Sequence, residues 1–238
     1  AMPLLPSLGI SWNLGVDGGG VSLRLLTSLI IFAGVCATWT LEDRDKDFYI
    51  LLLVLVAGVF GVFVSLDLFL FFLFYEIAVL PMYLLIAIWG SIKGVKEGGP
   101  LAFIWKKFDI GGREYAAMKL TLMLLLGSAF ILAGMFAMVE SAGTGSFDME
   151  QLQRGGVPRD VQMWVFPALW LGFGTLAGVF PFHTWSPDGH ASAPTAVSML
   201  HAGVLMKLGA FGVMRVGMVL CPEATEVWAP VVGAVAVI

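Results

Sequence analysis

Long apolar stretches, separated by short polar links, make up most of this chain. An α-helix rises about 1.5 Å per residue and needs roughly 20 apolar residues to cross the hydrocarbon core of a bilayer, which is about 30 Å thick. The stretches that reach this length predict six complete membrane-spanning helices, at residues 21–41, 48–65, 67–90, 115–139, 162–180 and 195–216. The fold class is therefore predicted to be all-α, a polytopic bundle of transmembrane helices.

The two ends of the chain differ from this six-helix region, which covers residues 21–216. Residues 1–20 are rich in glycine and proline and lack a basic segment before a hydrophobic core, so they predict an extracytoplasmic lead-in segment and not a cleavable signal peptide. Residues 217–238 are predicted to be a loop followed by the start of a further helix near residue 228. That last apolar run is too short to cross a bilayer, and we expect the chain to be cut from a longer one.

Basic residues are concentrated in two polar links, 42–47 and 91–114, which lie on the same side of the membrane because two spans separate them. These links contain Arg44, Lys46, Lys93, Lys96, Lys106, Lys107 and Arg113. The link at 140–162, on the opposite side, contains Arg154 and Arg159. Since cytoplasmic loops carry an excess of Lys and Arg, the first two links are predicted to face the cytoplasm.

Composition places the whole chain in the membrane class, because 59% of its residues are hydrophobic, 13% are charged and the mean hydropathy is +0.92. The lipid bilayer is therefore an expected partner. The formal net charge of −4 gives no indication of nucleic acid binding, and no nucleic acid partner is expected. The glycines in Gly172-Phe173-Gly174 do not predict a nucleotide loop, since no strand precedes them.

Glu76 is an acidic residue inside the apolar stretch 67–90, close to the middle of the predicted third helix. An ionised side chain at that depth costs on the order of 3 kcal/mol, which favours a neutral carboxyl group, a buried partner or a water-lined cavity. Each of the three makes Glu76 a candidate for proton transfer. Pro81 cannot donate to the carbonyl of Ile77, which leaves a free acceptor where water could bind near the carboxyl group.

The three histidines of the chain lie close together in the sequence, at His183, His190 and His201. The three prolines and one glycine of residues 181–194 predict a broken, irregular segment at a helix end. His183, Asp188 and His190 have the side chains of metal ligands, but their spacing matches no zinc template. We interpret them as residues that hold the irregular segment in place.

Lys207 lies well inside the predicted sixth helix. A buried lysine can exchange protons near neutrality, whereas a lysine near a helix end extends to the membrane surface and stays charged, and the depth of Lys207 favours the buried interpretation. His201 is six residues earlier and on a different face, where a water molecule could join it to Lys207 or where it could serve as a hydrogen-bond donor between helices. Lys119 lies near a helix end and is interpreted as extending to the surface.

Four blocks of the sequence closely resemble subunit M of bacterial NADH:quinone oxidoreductase, equivalent to mitochondrial NADH dehydrogenase subunit 4. The blocks are residues 14–18 (LGVDG), 74–83 (FYEIAVLPMY), 88–90 (IWG) and 181–215. This family is an antiporter-like membrane part of respiratory complex I, and the likeness runs over essentially the whole chain. The last block is the most specific of the four.

The resemblance implies an antiporter-like fold with two inverted repeats, of which this chain would hold the first, with a broken helix near Pro181. It implies a line of protonatable residues at mid-membrane, in which Glu76 resembles the key glutamate of the family and Lys207 its lysine. The residues that could support this line are Lys119, His183, Asp188 and His190.

The resemblance also implies where the chemistry and the partners are. The chain would bind no cofactor and no metal, because NADH, flavin, iron–sulfur clusters and quinone belong to partner subunits. Its partners would be the other membrane-arm subunits of complex I, and its location the bacterial cytoplasmic membrane, which it would cross several times.

One position departs from the family pattern. The family usually has a lysine seven residues before the histidine of its Pro-x-His-x-Trp block, and this chain has Leu176 there. Glu76 would therefore lack the lysine that normally faces it. We hypothesise that His201, Lys207 or a basic residue elsewhere takes its place.

The predicted function is a proton-translocating membrane subunit of a respiratory NADH:quinone oxidoreductase, an enzyme subunit without a redox centre of its own. Glu76, Lys207 and His201 would carry the protons. Two alternatives stay open. A subunit of a multisubunit cation/proton antiporter or membrane-bound hydrogenase would share the glutamate and the Pro-x-His-x-Trp block, and a non-conducting structural arm would tolerate Leu176.

Overall fold

A computed structural model describes residues 2–41, 43–91 and 112–237 of the chain. In these ranges, 6 helical segments are long and apolar enough to cross a membrane, which confirms the predicted all-α bundle. The first four are unbroken helices, namely α1 (Gly18–Ala37), α2 (Asp45–Val64), α3 (Leu68–Trp89) and α4 (Arg113–Ala142). Four of the basic residues used to predict the membrane orientation lie outside the described residues, namely Lys93, Lys96, Lys106 and Lys107.

The link between the fourth and fifth spans contains a short helix that the sequence pattern does not predict, α5 (Met149–Gly155). Asp148 precedes it, and its carboxylate accepts hydrogen bonds from the backbone N–H groups of Glu150 and Gln151, both at 3.0 Å. A carboxylate in this position pairs N–H groups that have no partner inside the helix.

The fifth span is broken, as expected near Pro181. Helix α6 (Arg159–Ala177) ends where Gly178 adopts a φ of 74°, a left-handed conformation that favours glycine. A short 3-10 turn then leads into α7 (Trp185–Ser192), so the prediction of an irregular segment over 181–194 is wrong for most of its length. Pro187 is tolerated because it lies in the first turn of α7, where backbone N–H groups have no partner inside the helix.

The sixth span, α8 (Thr195–Met218), is continuous but not uniformly α-helical. Its α-helical parts, Thr195–Leu200 and Met206–Gly212, alternate with two π-helical stretches, His201–Leu205 and Val213–Met218. π-helical stretches are rare in proteins, and those that occur are often found at functional sites. A further helix, α9 (Pro222–Val237), begins somewhat earlier than the predicted start near residue 228.

Glycines allow the helices to pack with their backbones in close contact. A Cβ atom on Gly172 of α6 would lie 2.6 Å from the carbonyl oxygen of Gly127 on α4, and one on Gly209 of α8 would lie 2.4 Å from the carbonyl oxygen of Phe173. Gly174 differs, because its nearest neighbour would be 3.8 Å away. Close backbone packing replaces the hydrophobic driving force that lipid does not supply.

One end of the bundle, here called the hairpin end, comprises residues 2–17, 65–67 and 143–158. Strands β1 (Met2–Leu5) and β2 (Ile10–Trp12) form an antiparallel hairpin there, which the sequence analysis does not predict. Asp67 connects the hairpin to the helices, because it is 0% exposed and accepts hydrogen bonds from the backbone N–H groups of Ser11 (2.9 Å), Phe69 (2.9 Å) and Leu70 (3.2 Å).

The opposite end, called the Trp89 end, comprises residues 43–44, 89–91 and 192–194. The Trp89 indole N–H donates to the carbonyl oxygen of Asp43 at 2.8 Å, and the Ser91 N–H donates to the carbonyl oxygen of Ser192 at 2.8 Å. Described parts of the two links predicted to be cytoplasmic therefore lie at this end. The side of the membrane that this end faces stays a prediction.

Candidate functional site

Glu76 is half-buried near the middle of α3, at the contact with α4. Its Oε1 atom accepts a hydrogen bond from the hydroxyl of Ser128 on α4. The Tyr75 hydroxyl oxygen lies 3.4 Å from the same Ser128 oxygen. In the described ranges no salt bridge includes Glu76. The polar partner of this carboxyl group is therefore a neutral hydroxyl group.

His201 occupies the first position of the first π stretch in α8 and is 1% exposed. Neither of its ring nitrogens has a hydrogen-bond partner among the residues that the structure describes. Its ring stacks on His190 of α7, with ring centroids 4.2 Å apart and an interplanar angle of 21°, and lies 5.0 Å from the Trp185 ring. Buried polar atoms normally have a partner, so this position is suited to an ordered water molecule.

His190 joins this buried ring to a larger space at the Trp89 end. A cavity of about 630 Å³ is lined by residues that include Trp89, Ser91, His190 and Ser198. The His190 Nδ1 atom lies 3.0 Å from the Ser198 hydroxyl oxygen, which fixes the orientation of the ring. The half-buried His190 thus contacts this cavity and, through its stacked ring, the buried His201.

A second, much smaller cavity is lined by His201 itself. Its volume is about 10 Å³, room for roughly one water molecule. His201 lines it together with Leu176, Val79 of α3 and Leu124 of α4. Val79 is about one helical turn after Glu76, and Leu124 about one turn before Ser128. The cavity therefore lies within a turn of the Glu76–Ser128 pair, and the position where the family usually has its lysine is in its wall.

Lys119 forms an ion pair between two helices, which its interpretation as a residue that extends to the membrane surface did not include. Its Nζ atom lies 2.6 Å from a carboxylate oxygen of Asp188 on α7, and 5.8 Å from the centre of the Tyr115 ring. The pair joins α4 to the short helix that follows the break. The pair was not predictable, because residue spacing along one helix carries no information about a partner on another helix.

Among the described residues Lys207 is exposed, which contradicts its interpretation as a buried residue in this part of the chain. Lys207 lies on the exposed face of α8, and its ammonium group donates to the carbonyl oxygen of Ala202 at 3.1 Å. Of the two residues named as substitutes for the missing lysine, only His201 lies beside Leu176.

The remaining sequence candidate, His183, does not join the group. Its ring stacks on Phe180 with centroids 5.8 Å apart, whereas Asp188 pairs with Lys119 and His190 with Ser198. In the described ranges, no group of three or more His, Cys, Asp or Glu side chains is placed to hold a metal ion.

Two residues of the site, Ser128 and Ser198, were missed in the sequence analysis. The signal that could have found them is a hydroxyl group within a long apolar run, which is typical of a hydrogen bond between membrane helices. Ser128 follows Gly127, a position of close contact between α4 and α6.

Known proteins share the sequence pattern and the fold of this chain. A family model described as "NADH:quinone oxidoreductase/Mrp antiporter, TM" matches residues 101–238. The NAD(P)H-quinone oxidoreductase chain 4 3 of Picosynechococcus is 40% identical over 227 residues, which are 95% of this chain and 38% of the relative. The NAD(P)H-quinone oxidoreductase chain 4 2 of Thermosynechococcus vestitus is 36% identical over 237 residues, 100% of this chain and 41% of the relative.

Solved structures share the fold. A chain of respiratory complex I from Thermus thermophilus with bound NADH superposes with a TM-score of 0.80 at 26% identity, covering 97% of this chain and 44% of that one. A chain of an archaeal membrane-bound sulfane sulfur reductase matches with a TM-score of 0.66 at 20% identity. The match covers 87% of this chain and 30% of the reductase chain, and at this identity it supports the fold alone. The chain spans about two fifths of the length of the curated relatives it matches.

The family model covers more than half of the chain, and the resemblance drawn from the sequence blocks is confirmed. The chain belongs to the NADH:quinone oxidoreductase/Mrp antiporter transmembrane family.

Proposed function

We propose that this chain is a proton-translocating membrane subunit of an NADH:quinone oxidoreductase, in which Glu76 takes up and releases a proton in the middle of the membrane. The observation that carries the proposal is the position of His201. It is a buried imidazole whose ring nitrogens lack a partner among the described residues, and it lies between a cavity at the Trp89 end and a small cavity beside the Glu76–Ser128 pair.

The first step of the proposed path runs from the Trp89 end to the histidines. Water in the cavity of about 630 Å³ would exchange protons with His190. Histidine is the side chain best suited to such exchange near neutral pH. The two rings are in stacked contact, with centroids 4.2 Å apart, so a water molecule at their edges would carry the proton from a ring nitrogen of His190 to one of His201.

The second step runs from His201 to Glu76. A water molecule in the cavity of about 10 Å³ would provide the hydrogen-bond partner that a ring nitrogen of His201 lacks, and would extend toward α3 and α4. Leu176 and most of the other lining residues are apolar, and the Trp185 indole N–H already donates to the carbonyl oxygen of Thr175. His201 is therefore the lining residue that would bond this water, and it takes the place that the family gives to a lysine. The proton would then reach the carboxyl group of Glu76, which Ser128 holds in place.

Lys207 and the Lys119–Asp188 pair have different proposed roles. Lys207 lies on the exposed face of α8, where it would exchange protons with groups outside the described residues. The Lys119–Asp188 pair would hold α7, and therefore His190, against α4.

The proposal includes the setting of the chain. Its relatives are named as NAD(P)H-quinone oxidoreductase chains. These names support the proposal that the partners of this chain are other membrane-arm subunits of such a complex. We propose that NADH, flavin, iron–sulfur clusters and quinone bind those partners and not this chain. The six apolar spans place the chain in a membrane, and the bacterial cytoplasmic membrane is the proposed one.

A cation/proton antiporter subunit is the second candidate, because the description of the matching family names both kinds of protein. In that case the same buried groups would exchange protons for a metal cation across the membrane, and proton movement would not be coupled to quinone reduction. Identifying the subunits that co-purify with the complete protein distinguishes the two candidates.

Replacing His201 with Leu tests the proposed path. The variant fills the buried position with an apolar side chain of similar size but removes the ring nitrogens. Proton pumping per NADH oxidised should therefore fall at least about tenfold, since a positioned proton-transfer group typically contributes 100-fold or more. The measurement is dye-reported proton uptake by vesicles that contain the complete complex, normalised to the amount of complex.

The matched control is Trp164→Leu, which removes an aromatic ring from the exposed face of α6, where Trp164 is 53% exposed. Its pumping should equal that of the wild type. Unchanged pumping in His201→Leu would contradict the proposed path.

A further inference from the structure

We propose that Ser128 is a positioning residue for Glu76, whose hydroxyl group rotates so that the carboxyl group stays hydrogen-bonded both with and without its proton. The inference rests on the proposed function, since it concerns how the same carboxyl group is held while it exchanges protons. Ser128 lies on α4 and Glu76 on α3, so the contact also connects two helices.

The Ser128 hydroxyl has more neighbours than hydrogen atoms to donate. Its oxygen contacts Glu76 Oε1, lies 3.0 Å from the carbonyl oxygen of Leu124 and 3.4 Å from the Tyr75 hydroxyl oxygen. A hydroxyl group donates one hydrogen bond and accepts up to two. The carboxylate and the Leu124 carbonyl therefore compete for one hydrogen.

This competition is resolved differently in the two protonation states of Glu76. When the carboxyl group is ionised, it can only accept, and the Ser128 hydroxyl donates to it. When the carboxyl group carries a proton, its own O–H donates to the Ser128 oxygen, and the Ser128 hydrogen turns to the Leu124 carbonyl. The covalent O–H bond of Ser128 stays intact in both states, so the added proton resides on Glu76.

Burial around Glu76 and Ser128 makes a lost hydrogen bond costly. Ser128 is 5% exposed and Tyr75 2% exposed, so bulk water does not replace a missing partner. A buried polar group without a hydrogen bond is costly, and an ionised one more so. The family lysine is absent at Leu176, and no salt bridge within the described ranges includes Glu76. A rotating hydroxyl satisfies the acid in both states, which a fixed cation would not do.

Ser128→Ala tests the inference, because it removes the rotating hydroxyl and little else. We expect proton pumping per NADH to fall about tenfold in vesicles that contain the complete complex, since a lost hydrogen bond to a charged group shifts an equilibrium by about that factor or more. Ser128→Thr keeps a hydroxyl that can also bond the carbonyl of Leu124, so it should restore most of the pumping.

Ser141→Ala is the matched control. It is the same substitution on the same helix, and the Ser141 hydroxyl bonds the Met138 carbonyl at 3.1 Å, far along α4 from Glu76. Pumping should be unchanged in this variant.

Infrared difference spectra of the complete complex give a readout that a purely structural role of Ser128 would not change. The C=O stretch of protonated Glu76, identified by its absence in Glu76→Gln, should move to higher wavenumber in Ser128→Ala and return in Ser128→Thr. An unshifted band in Ser128→Ala overturns the inference, and so does unchanged pumping in that variant while Glu76→Gln abolishes pumping. Unchanged pumping in Glu76→Gln itself overturns the proposed function and, with it, the inference.

Discussion

Replacing Glu76 with Gln is expected to abolish proton pumping by the complex that contains this chain, with a fall of at least about 100-fold. The amide has nearly the shape of the acid, and its oxygen can still accept the Ser128 hydrogen bond. The variant complex should therefore assemble normally. It lacks only the ability to take up and release a proton, and the measurement is proton uptake by vesicles per NADH oxidised.

Glu140→Gln is the control for this substitution. Glu140 lies in the last turn of α4, is exposed, and should tolerate the amide with unchanged pumping. If the chain were a non-conducting structural arm, Glu76→Gln would pump like the wild type. That result, in a fully assembled complex, would remove the mechanism and leave only the family relationship.

Asp67→Ala should cause the largest loss of stability. The carboxylate is 0% exposed, caps the first turn of α3 and holds the backbone of Ser11 in the hairpin. Losing the cap costs about 0.5–2 kcal/mol, and leaving a buried N–H group without a partner costs about 1–3 kcal/mol. We expect a total of about 3 kcal/mol, measured as a lower thermal midpoint of the solubilised complex.

Two further variants serve as comparisons for Asp67→Ala. Asp67→Asn keeps the cap but turns an N–H₂ group toward the Ser11 N–H, so its midpoint should lie between those of the wild type and Asp67→Ala. Asp160→Ala removes an exposed aspartate from the first turn of α6, also near the hairpin end, and should have little effect. Equal midpoints for Asp67→Ala and Asp160→Ala would contradict the assigned role of Asp67.

The membrane spans could be predicted from the sequence because the bilayer imposes one length on every helix that crosses it. The break near Pro181 was also predictable, although the sequence did not reveal that Gly178 ends α6 or that α7 forms directly afterwards. Local chemistry does not show which of several prolines and glycines ends a helix when the rest of the segment can still form one.

The faces of the helices could not be predicted, and this explains why neither the exposure of Lys207 nor the partner of Lys119 was expected. In a helix that is apolar on all sides, the periodicity of hydrophobic residues does not distinguish the protein-facing side from the lipid-facing side. Depth along α8 suggested that Lys207 is buried, and position near the end of α4 suggested that Lys119 is exposed. The structure places Lys207 on an exposed face and pairs Lys119 with Asp188.

Glu76 was found from the sequence because its charge is conspicuous within an apolar run. Its partner Ser128 was not, since a serine is common in membrane helices and gains meaning only from the carboxyl group opposite. The hairpin and Asp67 were missed for a similar reason, because their contacts join residues far apart in the sequence.

Infrared difference spectroscopy during quinone reduction, in H₂O and in D₂O, shows whether the Glu76 carboxyl group exchanges its proton with water during turnover. We expect a carboxylic acid band that changes with turnover, shifts to lower wavenumber in D₂O within one turnover, and is absent in Glu76→Gln. The absence of any band that depends on Glu76, or a band that does not shift in D₂O, would rule out proton exchange by this carboxyl group.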